Sequence, residues 1–582
     1  MKNWYCIDLE TTTEEEDCRV WAWSAVNIFN LSDYQWGIDF QSMFDYLFTK
    51  DKSIWYFRNL KFDGEFVLNN ILTMGYEWTN RRKPLEGQFT TLISDKGAFY
   101  SITINRDGKI IEIRDSMKII NLSIKDTAKA FKLPIQKGDI DYTKYRPVGY
   151  IPDENEQEYI KYDVMIDAMS LIYFFEKNLT KMTQGSDAMM DFENIMGGKK
   201  NFRRKFPLLK RLVDEYLRKA YKGGFVYVNP EHTGKEVGHG FVLDDNSLFP
   251  SRMKYCKLPY GEPVYYEGEY KPDKLNDLYV CHIHCSFKIK KGYIPTIQIK
   301  HTLSFQENLY LESSNDEIVD LWLTSVDYKL FRKHYHVSNL TFIDGYKFRS
   351  KIHPEFVEYV DRWGAVKIKA GEEGNAGLRM VAKLLMNSLY GKFGLSITCR
   401  SKKPYLQNGI VKYELLEPEE RDGVYLPVAL FITAYGRELT ITQSQKVRDY
   451  SIAKYGVDMY LYSDTDSVHT LLPKEDLEEL FDLDDFRLGA WKVEAEFSKA
   501  KFIRQKCYLE THIKDGEEQK KPTVAGLPKS MHDMVTYENF KIGTSYFRTE
   551  DECTKEGQGT KKRYKRVKGG VILVDTSFKI KG

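Results

Sequence analysis

The apolar positions of this chain alternate most cleanly around an acidic turn. Val457 to Leu461 and Val468 to Leu472 flank Tyr462-Ser463-Asp464-Thr465-Asp466-Ser467 and predict a hairpin that carries two carboxylates at its tip. Phe241-Val242-Leu243 predicts a strand that delivers Asp244 at its end and then enters a turn. At the N-terminus a short apolar strand carries Asp8 and Glu10, and period-2 geometry points both to one face. Trp55-Tyr56-Phe57 predicts a strand running into a turn with Asn59 and Asp63. From Asn155 to Lys177 the spacing is helical, with Tyr159 and Asp163 at i and i+4 on one face. A later helix, 377–391, puts Arg379, Lys383, Asn387 and Tyr390 on one stripe and predicts a stop at Gly391.

Each piece alone has a bland reading. A lone D-x-D is most often a solvated turn, a Tyr-x-x-x-Asp pair is most often surface decoration, and a basic stripe suits a solvated helix face equally well. Two acids from separate strands shift the balance. Metal ions about 3.5–4 Å apart, held by such acids, activate an attacking oxygen and stabilise a leaving one in phosphoryl transfer. Asp244 and Asp464, with Asp466 beside them, make one candidate site.

The chain's 582 residues exceed the roughly 250–300 at which single cores stop growing, so several domains are expected. A net charge of +2 neither demands nor excludes nucleic acid. The eight cysteines are scattered, which fits a reduced, intracellular protein rather than a disulfide framework. Cys281-His282-Ile283-His284-Cys285 alternates like a strand and lacks a second ligand pair, so it reads against zinc. The N-terminus is no signal peptide, and no apolar run reaches the ~20 residues that span a bilayer. The basic run Lys561–Lys568 precedes an alternating segment and fits a surface laid on duplex backbone better than a loose tail.

In order along the chain, Asp244-x-x-Ser247-Leu248-Phe249-Pro250, Lys383-x-x-x-Asn387-Ser388-x-Tyr390-Gly391 and Tyr462-x-Asp464-Thr465-Asp466-Ser467 resemble motifs A, B and C of family B DNA polymerases. Tyr221-x-Gly223-Gly224, Thr433-Ala434-Tyr435-Gly436-Arg437 and Lys506-Cys507-Tyr508 are similar to that family's DNA-contacting segments. Asp8-x-Glu10, Asp63 and Tyr159-x-x-x-Asp163 resemble the three exonuclease motifs of DnaQ-like proofreading nucleases. The short length and the segment Lys137–Tyr142 resemble the protein-primed replicases of small tailed phages, the phi29-like group.

The resemblance implies a mixed α/β fold. A ribonuclease-H-like 3′–5′ exonuclease domain over 1–185 would precede a right-hand polymerase domain over 186–582. The palm is expected at about 186–297 and 423–525, a terminal-protein-contacting insertion at 298–355, and fingers at 356–394. A strand-displacement hairpin is expected at 395–422 and a thumb at 526–582. Asp244 and Asp464 in one site, and Asp8, Glu10, Asp63 and Asp163 in the other, would each hold two Mg²⁺, with Mn²⁺ as substitute. Asp466 and Lys137 join the catalytic sets, and Tyr159 orients a water.

Phe249, Arg379, Lys383, Asn387 and Tyr390 would bind the nucleotide. Thr11, Asn59, Tyr221, Gly223, Gly224, Thr433, Arg437, Lys506 and Tyr508 would contact DNA. The implied partners are primer-template and single-stranded DNA, dNTPs and a terminal protein primer, with no membrane. The chain would act in the cytoplasm of an infected bacterium, as a monomer or as a heterodimer with the terminal protein. Motif A departs from the family's S-L-Y-P at Phe249, which keeps the ring's bulk and drops its hydroxyl. The competing readings are an exonuclease whose larger half only binds nucleic acid, a non-catalytic scaffold, and RNA-templated synthesis.

Overall fold

The computed structural model describes residues 3–298, 310–547 and 561–581. Cys553 and part of the expected insertion and thumb lie outside them. The N-terminal body is an eight-stranded mixed sheet ordered Asn30–Gly37, Val20–Asn27, Trp4–Thr11, Ile54–Phe57, Lys109–Asp115, Phe99–Arg106, Gln88–Ile93, Glu77–Trp78. Its central strands are parallel, and helices cover both faces. Alternation along Trp4–Thr11 sorts the side chains. Tyr5, Ile7 and Leu9 pack with the Leu60–Thr73 helix, while Cys6 packs with Val164 and Leu171 of the Glu154–Phe175 helix. Asp8 and Glu10 therefore face that second helix. It begins in a reciprocal capping box between Asp153 and Glu156, which fixes its first turn one residue before the predicted start.

The second body is built on an antiparallel sheet ordered Glu517–Val524, Cys507–Lys514, Trp491–Arg504, Gly240–Asp245, Ser467–Thr470, Tyr460–Asp464, Val226–Val228. The 30-residue helix Leu426–Tyr455 packs behind it and is mostly buried. The helices Pro354–Glu372 and Ala376–Phe393 pair with each other. Gly391 does not stop the second of these; it sits within the helix, which ends at Gly394.

A separate four-stranded sheet runs over Leu258–Glu267, Tyr335–Lys351, Leu278–Ile289 and Val319–Thr324. The boundary expected at about 298 falls inside it, because its strands pair across some 90 residues of sequence. The basic run is itself a strand, Lys561–Val567, paired with Gly570–Thr576. That hairpin and the Lys402–Gln407/Ile410–Leu415 hairpin both reach the Leu60–Thr73 helix, where Glu65 accepts from Arg566 (2.7 Å) and from Tyr413 (2.9 Å).

Candidate active sites

In the N-terminal body one oxygen each from Asp8, Glu10 and Asp163 lies within 4.8 Å of the others. Asp63 enters from the first turn of the Leu60–Thr73 helix, just after Asn59 takes a left-handed φ of 64° and turns the strand into the helix. Like-charge crowding adds to burial here. Burial first and the Asp163 charge second push Asp8 up to about 8, and Glu10 and Asp63 rise for similar reasons.

The Lys137 ammonium pairs with Asp163 and lies 4.9 Å from the centroid of the Tyr159 ring. Burial works against its charge, but Asp163 outweighs that and holds the ammonium's pKa up. Asp163 Oδ1 is buried with no hydrogen-bond partner. Several carboxylates around one ammonium, with an orphaned oxygen among them, suit a hard divalent cation. Tyr159 shares a 2.7 Å hydrogen bond with Tyr142, and burial keeps its hydroxyl protonated. Asn59 donates from Nδ2 to the Tyr564 hydroxyl (3.0 Å), tying this rim to the C-terminal hairpin.

In the second body Asp244 and Asp464 each stand opposite Ser467, on strands that flank the same neighbour. Their Cα atoms are therefore two strand spacings apart, roughly 9.5 Å, with the side chains at one level. Thr465, at φ 65°, makes the tight turn, and a Cβ on Gly224 would meet its side chain at 2.7 Å. Gly224 is thus required by a close approach rather than by a DNA contact alone.

Asp464 accepts from Lys506 Nζ at 2.8 Å on both oxygens and from the Tyr462 hydroxyl at 3.2 Å. Lys492 Nζ lies 3.4 Å from Asp244. Burial, then Asp244 and Asp464, push Asp466 up to about 7. Asp245, which the sequence reading passed over, is buried with both oxygens unpartnered, and burial lifts it to about 6.

Arg379, Lys383 and Asn387 are exposed along one helix face, and Tyr390 is half-buried at its end. Lys367 and Lys492 extend this cationic row. Burial and the charges of Arg379, Lys383 and Lys492 all lower the Lys367 pKa. Neither lysine carries a motif signal. Lys492 is marked only by lying opposite Asp244 in the strand register. Phe249 packs against Tyr390, with ring centroids 4.2 Å apart. Tyr221 lies against the Gly394 end of the same helix. Tyr508 stacks in the cluster of Tyr462 and Phe502 under the Lys506 turn.

Two expected DNA contacts are buried instead. Arg437, 2% exposed, is ion-paired to Asp327 at 2.7 Å and donates to the carbonyls of Lys222 and Gly223 at 2.8 Å. Thr433 bonds the Leu430 carbonyl inside the long helix. In this structure Arg437 braces the Tyr221–Gly224 loop. Thr11 stands at a partly open position and Gly223 at an exposed one, each beside its site.

A family model for DNA polymerase type B, organellar and viral, matches residues 45–163 and 144–475. The chain belongs to the type B DNA polymerases, in their phi29-like phage branch. It is 39% identical to the DNA polymerase of Bacillus phage phi29, over 99% of both chains, and equally so to that of Bacillus phage PZA. Identity to the DNA polymerase of Streptococcus phage Cp-1 is 33%, over 100% of this chain and 99% of that one. The solved structure of phi29 DNA polymerase with primer-template DNA superposes with a TM-score of 0.90 at 37% identity, covering both chains fully. A ternary complex with primer-template DNA and incoming nucleotide substrates gives 0.89. The protein is a DNA-directed DNA polymerase of mixed α/β fold, and no described helix is long and apolar enough to cross a membrane.

Proposed function

We propose that this polymerase works with two separate phosphoryl-transfer sites, one extending a 3′ end and one removing it. The Asp8, Glu10 and Asp163 cluster with its orphaned oxygen is the observation that supports the second activity. Asp244 and Asp464, with Asp466 beside them, would hold Mg²⁺ in the first site; Asp8, Glu10, Asp63 and Asp163 would hold it in the second. Such ions acidify the attacking oxygen and neutralise charge on the reacting phosphate.

The chain's own groups supply the rest. Lys383 and Arg379, reinforced by Lys492 and Lys367, draw the triphosphate to the Asp244 edge. Phe249 and Tyr390 form the apolar floor under the sugar and base. In the editing site the Tyr159 hydroxyl, kept protonated, orients the attacking water, and Lys137 holds Asp163 in place. Thr11 and Asn59 flank the incoming 3′ end.

Full-length likeness to the phi29-like branch supports three finer readings. Synthesis begins on a hydroxyl side chain of a separate terminal protein, proceeds with strand displacement, and takes place in the host cytoplasm. The 258–351 sheet is the proposed terminal-protein and duplex platform. The 402–415 hairpin is the proposed strand-displacement element, and the 561–576 hairpin belongs to the thumb.

A 3′-labelled single strand tests the editing site. Wild type and Asp464→Ala should both release the label with Mg²⁺, and Asp8→Ala should not. A wild type that leaves the label intact would contradict the reading.

A further inference from the structure

The run Cys281-His282-Ile283-His284-Cys285 takes no part in either site. In the Leu278–Ile289 strand, alternation sends Cys281 and Cys285 into the core, at 1% and 0% exposed. Both thiols are buried on the face away from the histidines, so neither reaches the site formed there. His282 and His284 stand on the opposite face. There the register sets His284 directly across from Asp320 of the Val319–Thr324 strand. The Nε2 atoms of His282 and His284 lie 2.7 and 2.6 Å from the same oxygen, Asp320 Oδ1.

The surroundings of His282 are built. Its ring stacks on Trp322 with centroids 4.1 Å apart and planes 10° from parallel. Its Nδ1 lies 3.3 Å from Asp344 Oδ1. Asp344 in turn accepts from the Tyr216 hydroxyl at 2.6 Å and from the Tyr265 hydroxyl at 3.2 Å. A carboxylate beside Nδ1 favours a hydrogen there and, once an ion is bound, leaves the Nε2 lone pair for it, the outer arrangement of metal-bound histidines. Without an ion both Nε2–H groups can donate to lone pairs of Asp320 Oδ1; with an ion bound, the same three atoms converge as its ligands.

We propose that His282, His284 and Asp320 bind one divalent ion of the zinc type (Zn²⁺, Co²⁺ or Ni²⁺), with Asp344 positioning His282. Imidazole selects such ions over Mg²⁺, which prefers oxygen ligands, so the site is chemically distinct from the two catalytic carboxylate sets. Three protein ligands leave a coordination position for water. Ligand atoms on a tetrahedral ion with bonds of about 2.0–2.1 Å lie about 3.3 Å apart. His284 and Asp320 need open by little more than half an ångström, and their side chains are 41% and 54% exposed and free to turn. The bound ion would staple two strands of the 258–351 sheet.

The test is calorimetric titration of Zn²⁺ into chelator-stripped, full-length protein under millimolar Mg²⁺, which occupies the carboxylate sites. The expected result is one equivalent bound, with a rise in Tm and, for Co²⁺, a visible ligand-field band. His284→Ala and Asp320→Asn should each remove all three responses, and Asp344→Asn should weaken binding about 10–100-fold. An unchanged far-ultraviolet circular dichroism spectrum for His284→Ala would show that the variant is folded. No binding by wild type, or binding undiminished in His284→Ala, would overturn the proposal.

Discussion

The Phe249 and Tyr390 rings lie 4.2 Å apart at a tilt of 33°, closing an apolar surface between motif A and the cationic helix. Phe249 follows Ser247, whose φ of 64° starts the Leu248–Tyr255 helix, and it packs beside Gly436, where a Cβ would come within 3.2 Å. The ring therefore packs between Tyr390 and the Gly436 backbone. A 2′-hydroxyl on an incoming sugar would meet that ring. Phe249→Val should raise ribonucleotide incorporation about 10–200-fold relative to deoxyribonucleotide, the range for removing one steric contact. Unchanged discrimination in single-nucleotide kinetics would remove Phe249 from the sugar gate.

The Lys137–Asp163 pair predicts a separation of activities. Lys137→Ala leaves Asp163 buried without its partner and Tyr159 without its neighbouring charge. Degradation of a 3′-labelled strand should fall by about 10²-fold, while primer extension under excess dNTP stays near wild type. Loss of both activities together would point to a structural role.

The cationic row predicts a charge effect on nucleotide use. Lys383→Ala should cut kcat/KM for dNTP by about 10²–10³-fold. Lys367→Met should act on the same step more weakly, because its half-buried side chain stands on the neighbouring helix rather than on the motif stripe. Rapid-quench incorporation checks both.

Glu510 predicts a pH dependence of stability. It is 2% exposed beneath the acidic hairpin, 2.7 Å from His469 and 2.8 Å from His512, while His469 lies 3.4 Å from the Ser467 hydroxyl. Burial alone would raise its pKa, but the two histidines bring it from 4.5 to about 2. A depressed carboxylate stabilises the fold above its unfolded pKa and loses that contribution as pH falls through the folded one. The shift corresponds to about 3 kcal/mol. Glu510→Gln should destabilise the fold at about pH 5, and the gap to wild type should shrink between pH 4.5 and about 2. Urea denaturation across that range checks it.

Part of the site was legible because Asp8, Glu10, Asp244 and Asp464 lie on short strands, where period 2 dictates direction. Asp8 and Glu10 share a face for that reason, and the stripe from Arg379 to Asn387 is exposed as its spacing requires. What stayed hidden depends on distant partners. The Arg437 side chain reads as a DNA contact until Asp327, 110 residues away, is seen to bury it. Alternation in 281–285 was visible, but Asp320 reaches the histidines only through strand pairing. Gly391 reads as a helix stop because propensity alone marks it, whereas packing against the Gln184–Ile195 and Pro354–Glu372 helices carries the helix on to Phe393.

The central claim is that Asp464 serves synthesis and Asp8 serves editing, at two sites in one chain. Primer extension on a DNA template with Mg²⁺ and dNTPs, followed alongside primer degradation without dNTPs, tests it most directly. Asp464→Ala should abolish extension and keep degradation, and Asp8→Ala should do the reverse. A single substitution that removes both activities, in protein shown to be folded, would contradict two independent sites.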